Sequence, residues 1–278
     1  MPEYNPNTPW VVFALDNEEY CVNSMFVDSI TLPAEMTRMP NNPIHLVGVM
    51  PYSDLHIPVI DARTLLGMET LAEAINDFGV MRQMHVDWVD ALKDSVTNHV
   101  PFTKAVNPHK CKFGMWFDNY HTDNVSLNFI LGKIEEPHAA IHRLGADAQK
   151  LMAHGDWDGA RECYRKAEDI CKNTVLPLLD SLIETYRDSN RGMVIVLRGE
   201  DGSQLGLMVD QIARLTPGNK ISHAPVPAGV SVRDGFIADM VLDGKHTLAN
   251  LDIPRLFEYM GTHAAEVETA LALAGGSN

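Results

Sequence analysis

The hydrophobic pattern of this 278-residue chain changes its period twice, which restricts the possible folds more than any other feature. Short apolar or alternating runs typical of β-strands come first, at 10–15, 26–32, 45–50 and 55–62. Apolar residues then recur every three or four positions from Leu71 to Val96, as on one face of a helix. Strand patterns return at 193–197, 204–210, 236–242 and 246–251. The chain is therefore predicted to pass from β to α and back to β.

Each strand block alone is too short for a complete β domain, so we predict an α+β fold in which one β domain is interrupted by a helical insertion. The insertion is predicted to contain four helices, at 71–97, 112–131, 135–153 and 156–189, the last kinked at Pro177. An even number of antiparallel helices returns the chain to its starting end, so a four-helix bundle can sit in a loop. The predicted boundaries are 9–66 and 191–260 for the β domain, 67–190 for the insertion and 261–278 for a C-terminal helix or tail.

The charge of the chain disfavours two classes of partner. The net charge is −15, with 22 Lys and Arg against 37 Asp and Glu, so no basic excess supports binding to nucleic acid or to anionic lipid. The stretch MPEYNPNTPW lacks the features of a signal peptide, and no apolar run approaches the roughly 20 residues of a membrane span. We therefore expect a cytoplasmic protein whose four cysteines are free thiols or metal ligands.

Three histidines and one cysteine of the insertion form a candidate metal site. His138 and His142 are four residues apart on a predicted helix, so they share a face, and His85 falls on the apolar stripe of the first helix. Cys111 opens the aromatic stretch CKFGMWF. Each residue alone is more often an ordinary buried histidine or thiol. Together, three imidazoles and one thiolate are the donor set of a tetrahedral zinc site that leaves no position for a substrate water.

Both β blocks contain ordered motifs of a known family. These are HLVGVM and HIPVIDAR before the insertion, and QLGLMVDQIARL and GFIADMVLDGKHTLANLDIPRLF after it. Together they resemble the CheW-like chemotaxis coupling domain. The resemblance implies a pair of small SH3-like β-barrels and a scaffold that bridges chemoreceptor tips to a CheA-type histidine kinase. Where that family has Asn-Leu-Arg-Gly, residues 51–54 read PYSD, and the loss of this arginine weakens the expectation of receptor–kinase coupling.

The insertion resembles a second family, the chemoreceptor zinc-binding (CZB) domain, through HVDW at 85–88, CKFGMW at 111–116 and HAAIH at 138–142. The resemblance implies an antiparallel four-helix bundle that senses zinc, or oxidants such as hypochlorous acid, and that often forms dimers. It implies that Zn²⁺ is held by His85, Cys111, His138 and His142. It also implies that Gly114 allows close helix approach and that Trp88, Phe113 and Trp116 shape the pocket.

These observations favour a non-enzymatic cytoplasmic adaptor of chemotaxis signalling whose inserted bundle senses zinc or oxidants, with a possible homodimer through the insertion. One alternative is a purely structural zinc site that only keeps the insertion folded. A less favoured alternative is a di-iron carboxylate enzyme that uses Glu135 and Glu136. That enzyme needs Glu-x-x-His on two helices, and only EEPH at 135–138 supplies it.

Overall fold

The computed structural model describes residues 7–37, 45–227, 235–244 and 246–263, which fall into two compact units. The first unit combines the residues before Leu71 with those after Ser189, and the second is Leu71–Ser189. The first unit contains two β-sheets and the second is helical. The predicted α+β class, a sheet domain with a helical region between its two parts, is confirmed.

The sheet unit has eleven strands within the described residues. They are β1 Trp10–Leu15, β2 Glu18–Asn23, β3 Val27–Thr31, β4 Leu46–Tyr52, β5 Leu55–Asp61, β6 Met193–Arg198, β7 Gln204–Val209, β8 Gln211–Thr216, β9 Ile221–Ala224, β10 Ile237–Asp243 and β11 His246–Leu251. One sheet has the order β8-β1-β2-β11-β10-β9 and the other β3-β6-β7-β5-β4. In each sheet, some strands precede the helical unit in the sequence and others follow it.

The pairing of these strands explains why neither strand block can fold alone. β3 pairs antiparallel with β6, β5 pairs parallel with β7, and β1 pairs antiparallel with β8. In each pair one strand precedes the helical unit and the other follows it. A chain that lacked either block would leave backbone N–H and C=O groups of the other without partners, which is strongly unfavourable when they are buried.

A buried ion pair also joins the two blocks. Arg63 lies in the short helix α1, Ala62–Leu65, and its guanidinium donates two hydrogen bonds, of 2.8 and 2.7 Å, to the Asp210 carboxylate. Both side chains are almost fully buried. The backbone N–H of Asp16 donates to the same carboxylate over 2.6 Å. The pair therefore fixes the start of β8 against the segment that leads into the helical unit.

Three strands escaped the sequence analysis. Residues of β2, β8 and β9 were not separated from their neighbours. β8 alternates between exposed and partly buried residues, and β9 has only four residues. The last helix, α7, is Ile253–Thr262, and the part of the predicted C-terminal helix or tail beyond residue 263 lies outside the described residues.

The helical unit contains α2 Leu71–Asn98, α3 Lys112–Phe117, α4 Val125–Ala153, α5 Trp157–Ile170 and α6 Leu176–Ser189. The predicted helices at 112–131 and 135–153 have the wrong boundaries. The first ends at Phe117, and α4 begins at Val125 because the Asn124 side chain accepts hydrogen bonds from the N–H groups of Ser126 and Leu127. Pro137 lies inside α4 and does not end it.

One π-helical turn, Cys171–Val175, joins α5 to α6. It ends two residues before Pro177, where the sequence predicts a kink. Because proline has no N–H to continue the regular hydrogen-bond ladder, the wider turn is an expected response.

Contacts at the ends of the helices show that the unit makes four passes. At one end the rings of Phe78 and Tyr186 lie 4.9 Å apart, and Asn124 donates to the Ser189 hydroxyl over 2.9 Å. At the other end His99 stacks on Trp157 at 4.1 Å. The chain therefore ascends in α2, descends through residues 99–124, ascends in α4 and descends in α5 and α6. We call residues 99–124 the return leg, since α3 is its one α-helix.

The helical unit has its own apolar core. Leu92, Ile134, Ile141, Val175 and Leu182 are completely buried. Burial of such a side chain contributes about 1.5–3 kcal/mol. Met84 was expected on the buried stripe of α2 but is 44% exposed, and His85 takes the inward position. In the parts of the chain that the structure describes, no helix combines the length and the hydropathy that a bilayer span requires.

Candidate metal centre

Three segments of the helical unit bring His85, Cys111, His138 and His142 together. His85 lies on α2, and Cys111 is the residue that caps the N-terminus of α3. His138 and His142 both lie on α4. One potential ligand atom from each residue lies within 4.8 Å of the other three. The Cys111 Sγ is 3.3 Å from the His138 Nε2. These four side chains thus form one cluster that can surround a metal ion.

Backbone carbonyls orient two of the imidazoles. The Nδ1 of His85 donates to the Met81 carbonyl over 2.7 Å, and the Nδ1 of His142 donates to the Ala105 carbonyl over 3.0 Å. A neutral imidazole carries one N–H, so the Nε2 of each ring is left as an acceptor. Both Nε2 atoms are buried and have no hydrogen-bond partner among the described residues. An unsatisfied buried acceptor costs about 1–3 kcal/mol, and coordination of a metal ion removes this cost.

The position of the Cys111 sulfur depends on a tight turn. The Sγ accepts a hydrogen bond from the Gly114 N–H over 3.2 Å, and as a thiol it donates to the Pro108 carbonyl over 3.3 Å. A Cβ on residue 114 would lie only 1.8 Å from that same carbonyl oxygen. Only glycine allows α3 to fold so closely onto the turn before Cys111.

Burial sets the protonation of the cluster. It lowers the pKa of His85, and it lowers the pKa of His138 to about 3 and of His142 to about 4. The neighbouring imidazoles lower the pKa of His138 further. The three rings are therefore neutral at pH 7, which is the form that binds metal. Burial raises the pKa of the Cys111 thiol against the opposing effect of the backbone N–H groups of Gly114 and Phe113, and a cation would shift it towards the thiolate.

Aromatic side chains surround the cluster. The buried Trp88 indole lies 5.1 Å from the His142 ring, and its Nε1 donates over 2.8 Å to the Ala105 carbonyl that also binds His142. The buried Phe113 ring lies 5.0 Å from His138 and 5.9 Å from His85. Trp116 packs behind Phe113, with 5.8 Å between ring centroids. These rings exclude water from most of the cluster.

Several groups that shape the site could not be predicted from the sequence. The carbonyls of Met81, Ala105 and Pro108 orient the ligands, but a backbone carbonyl carries no residue-type signal. Phe102 was also missed. Its buried ring lies 5.1 Å from Trp88 within the irregular part of the return leg, where no helical period predicts burial.

The donor set fits zinc better than iron. Three imidazole nitrogens and one sulfur are typical of tetrahedral zinc, and the cluster includes no carboxylate. The di-iron alternative needs Glu135 and Glu136 in the interior, but both are exposed and Glu136 pairs with Arg143. Fold and site together define a class of protein: a two-sheet β domain into which a helical unit is inserted, with a His₃Cys cluster that can hold a metal ion.

Comparison with known families agrees with this description. Residues 9–86 match the family model of the CheW-like domain, and residues 85–149 match that of the chemoreceptor zinc-binding domain. The chain thus contains a CheW-like domain and a chemoreceptor zinc-binding domain. The prediction of zinc as the cofactor is confirmed, because the matched domain is a zinc-binding one and the cluster suits a metal.

Two relatives and one solved structure are similar to parts of this chain. The probable chemotaxis protein CheW of Rhizobium etli is 27% identical over 96 residues, which are 34% of this chain and 62% of the relative. The chemotaxis protein CheW of Rhizobium meliloti is 27% identical over 88 residues, 32% of this chain and 57% of the relative. The chain thus spans less than two thirds of either relative. The scaffolding protein TtCheW of Thermoanaerobacter tengcongensis superposes with a TM-score of 0.41 at 12% identity, covering 91% of this chain and 89% of TtCheW.

The CheW-like match ends at residue 86, although the sheets continue after the helical unit. The strands that complete both sheets, β6 to β11, begin at Met193. The helical unit, Leu71–Ser189, interrupts the β domain and separates its two parts in the sequence.

Proposed function

We propose that this chain is a non-enzymatic adaptor of chemotaxis signalling whose inserted domain, residues 67–190, reports zinc or oxidants to the CheW-like part, residues 9–66 and 191–260. The observation that supports this most directly is the His₃Cys cluster, with three buried histidines and a partly buried cysteine, inside a unit inserted between strands of the CheW-like sheets. The matched families, a CheW-like domain and a chemoreceptor zinc-binding domain, support the same function.

In this proposal the Nε2 atoms of His85, His138 and His142 and the Sγ of Cys111 hold one zinc ion. When bound, zinc supplies the positive charge that keeps Cys111 a thiolate, the reactive form of cysteine. Four protein ligands leave no position for a substrate water, which supports a sensing role rather than a hydrolytic one. Oxidation of Cys111 would weaken its hold on the metal.

The CheW-like part is proposed to contact chemoreceptor tips or a CheA-type histidine kinase in the cytoplasm, and the insertion to form a homodimer. The hairpin between β4 and β5 carries the PYSD segment in place of the family arginine. Its Tyr52 hydroxyl hydrogen-bonds to Asp28 over 3.0 Å and lies 2.7 Å from the Ser29 hydroxyl, so the hairpin is held in place. Leu55 next to it is 58% exposed, and it offers an apolar contact instead of a charged one.

The ligand set is tested by metal analysis of the purified protein and of a Cys111→Ser variant. We expect about one zinc per chain. Cobalt substitution should give a tetrahedral spectrum with a thiolate charge-transfer band that the variant lacks. Iron in place of zinc, or an unchanged band in the variant, contradicts the assignment.

The adaptor role is tested by capture of receptor-tip and kinase fragments on the immobilised protein with and without zinc. We expect binding that changes with zinc or with oxidant. Binding that is equal in both states, together with loss of helix in the metal-free protein, would instead indicate a purely structural zinc site.

A further inference from the structure

A cavity of about 270 Å³ opens beside the metal cluster. Cys111, His85 and His142 contribute to its inner wall. Met84 and Met115, which are 44% and 52% exposed, also line it, so the cavity reaches the surface. Phe113 and Trp88, whose rings pack against His138 and His142, also line the cavity. The cavity is therefore a route by which a small molecule can reach the Cys111 sulfur.

The lining of this cavity is basic, although the chain carries a net charge of −15. It includes Lys104, Lys110 and Lys112 and a single carboxylate, that of Asp87. Lys112 pairs with Asp77 at 2.8 Å. Lys104 and Lys110 are exposed and form no ion pair with any residue in the described ranges. Lys104 and Lys110 thus place two positive charges at the approach to the thiol, against the one negative charge of Asp87.

We propose that this cavity selects small anionic oxidants over neutral ones for reaction with Cys111. The inference rests on the proposed function, because it takes Cys111 as the reactive thiolate of the metal centre. Positive charge at the mouth of a narrow cleft raises the local concentration of anions and lowers the barrier for bringing an anion to an anionic sulfur. A neutral oxidant gains nothing from these charges, so the ratio of the two rates measures the selection.

The reaction of an anionic peroxide shows the chemistry. The Cys111 thiolate attacks the peroxide oxygen, an S–O bond forms and the O–O bond breaks. With peroxymonosulfate the products are the sulfenic acid of Cys111 and sulfate: RS⁻ + HSO₅⁻ → RSOH + SO₄²⁻. Sulfur loses two electrons and the peroxide bond gains them. Hydrogen peroxide follows the same path and gives hydroxide, RS⁻ + HOOH → RSOH + OH⁻, so the two reagents differ mainly in charge and intrinsic reactivity.

The two reagents also separate selection from a change in thiol reactivity. Loss of a nearby lysine disfavours the Cys111 thiolate, and this slows both oxidants by the same factor. The ratio of the peroxymonosulfate rate to the hydrogen peroxide rate cancels that factor. For removal of both lysine charges we expect this ratio to fall roughly fivefold at low ionic strength, and the difference to shrink as salt screens the charges.

The test uses the zinc-loaded full chain and the double variant Lys104→Gln/Lys110→Gln. Each oxidant is added below one equivalent, the reaction is quenched at short times, and mass spectrometry measures oxidation of each cysteine. The matched control is Lys133→Gln/Lys220→Gln, which changes the net charge equally at lysines that do not line the cavity. The charge reversal Lys104→Glu/Lys110→Glu should lower the ratio further. Zinc content and circular dichroism establish that each variant is folded and loaded.

Three results together support the proposal. The ratio falls in the cavity variants, it keeps its value in the control, and at high salt it approaches the wild-type value. An equal ratio in the wild type and the cavity variants overturns it while leaving the metal site intact. An equal fall in the control variant also overturns it, because the effect is then one of net charge. If Cys111 is not the first cysteine oxidised by either reagent, the proposed sensing function fails with it.

Discussion

Gly114→Ala is a sharp test of how the fold places the Cys111 sulfur. The new methyl carbon would lie 1.8 Å from the Pro108 carbonyl oxygen and 2.8 Å from its carbonyl carbon. Real Cβ atoms essentially never come within 3.0 Å of another heavy atom, so the turn and α3 must separate by at least about 1.2 Å. Because the obstacle is backbone, no side-chain rotation relieves the contact.

This separation should change two measurable quantities, the free energy of unfolding and the zinc affinity. Overpacking of this kind costs about 1–3 kcal/mol, against a gain in helix propensity of about 1 kcal/mol for Gly to Ala. A metal ligand set tolerates displacements of about 0.5 Å, so the shift should also lower zinc affinity about 10- to 100-fold. That loss corresponds to about 1.4–2.7 kcal/mol of binding free energy.

The assay is competition for zinc with a chromogenic chelator, together with urea unfolding with and without zinc. The matched control is Gly132→Ala in α4, where a Cβ meets nothing within 4 Å. It should leave zinc affinity unchanged and stabilise the chain by up to about 1 kcal/mol. Wild-type zinc affinity and an unchanged cobalt–thiolate band in the Gly114→Ala protein would refute the view that this turn positions Cys111.

Three further perturbations test the fold and the thiol. Arg63→Met leaves the buried Asp210 carboxylate without its guanidinium partner and should lower the free energy of unfolding in urea by about 3–5 kcal/mol. Arg143→Met removes one partner of an exposed ion pair and should lower it by less than about 1 kcal/mol. Replacement of 71–189 by a short Gly/Ser linker should leave a folded β domain by circular dichroism; an unfolded product would show that the sheets need the insertion. A sub-stoichiometric pulse of hypochlorous acid should oxidise Cys111 first, because bound zinc would keep Cys111 a thiolate while burial raises the pKa of the other thiols, that of Cys171 to about 11. Prior oxidation at any of the other thiols contradicts a reactive zinc thiolate. Those thiols are Cys21, Cys163 and Cys171.

Long, strongly periodic elements could be predicted from the sequence. The apolar stripe of α2 extends over a helix of 28 residues, so the prediction of that helix rests on many positions. Short elements could not be predicted in the same way. β9 has four residues and α3 six, which is less than two helical turns. Their positions are set by pairing and packing with distant segments.

Pro137 shows a second limit on what can be predicted from the sequence. Proline in a helix removes the hydrogen bond to the carbonyl four residues earlier, here that of Lys133, and so predicts an interruption. In the structure, α4 continues through Pro137. Lys133 is exposed, so water can satisfy its carbonyl. The residues on the opposite face of the helix remain buried. Ile134, His138 and Ile141 lie on that buried face. Tertiary packing thus outweighs one lost hydrogen bond.

At the metal centre, the sequence could give residue types and spacing but not orientation. One helical turn separates His138 from His142, so a shared face follows from helix geometry alone. Which nitrogen of each ring faces the cluster depends on the Met81 and Ala105 carbonyls. The second of these lies in an irregular segment, and its approach to α4 could not be derived from any local pattern.

The way the ligands are distributed indicates which part of the chain would respond to the state of the metal. The long helices hold one another through a buried core that includes Leu92, Ile141 and Leu182, none of which is a proposed metal ligand, and Cys111 packs against this core. The return leg is tied to the helices by its buried Phe102 and Phe113 rings and by the Lys112–Asp77 ion pair. Hydrogen bonds add to these contacts: the Ala105 carbonyl accepts from Trp88 and His142, and the Phe102 carbonyl accepts from Gln149. Of the four proposed ligands, Cys111 alone lies on the return leg. Loss of the bond between Cys111 and a metal ion should therefore loosen residues 99–124 while α2, α4 and α5 stay packed. A site whose loss rearranges one segment of a folded domain can act as a switch, whereas a purely structural site would unfold the whole domain when the metal leaves.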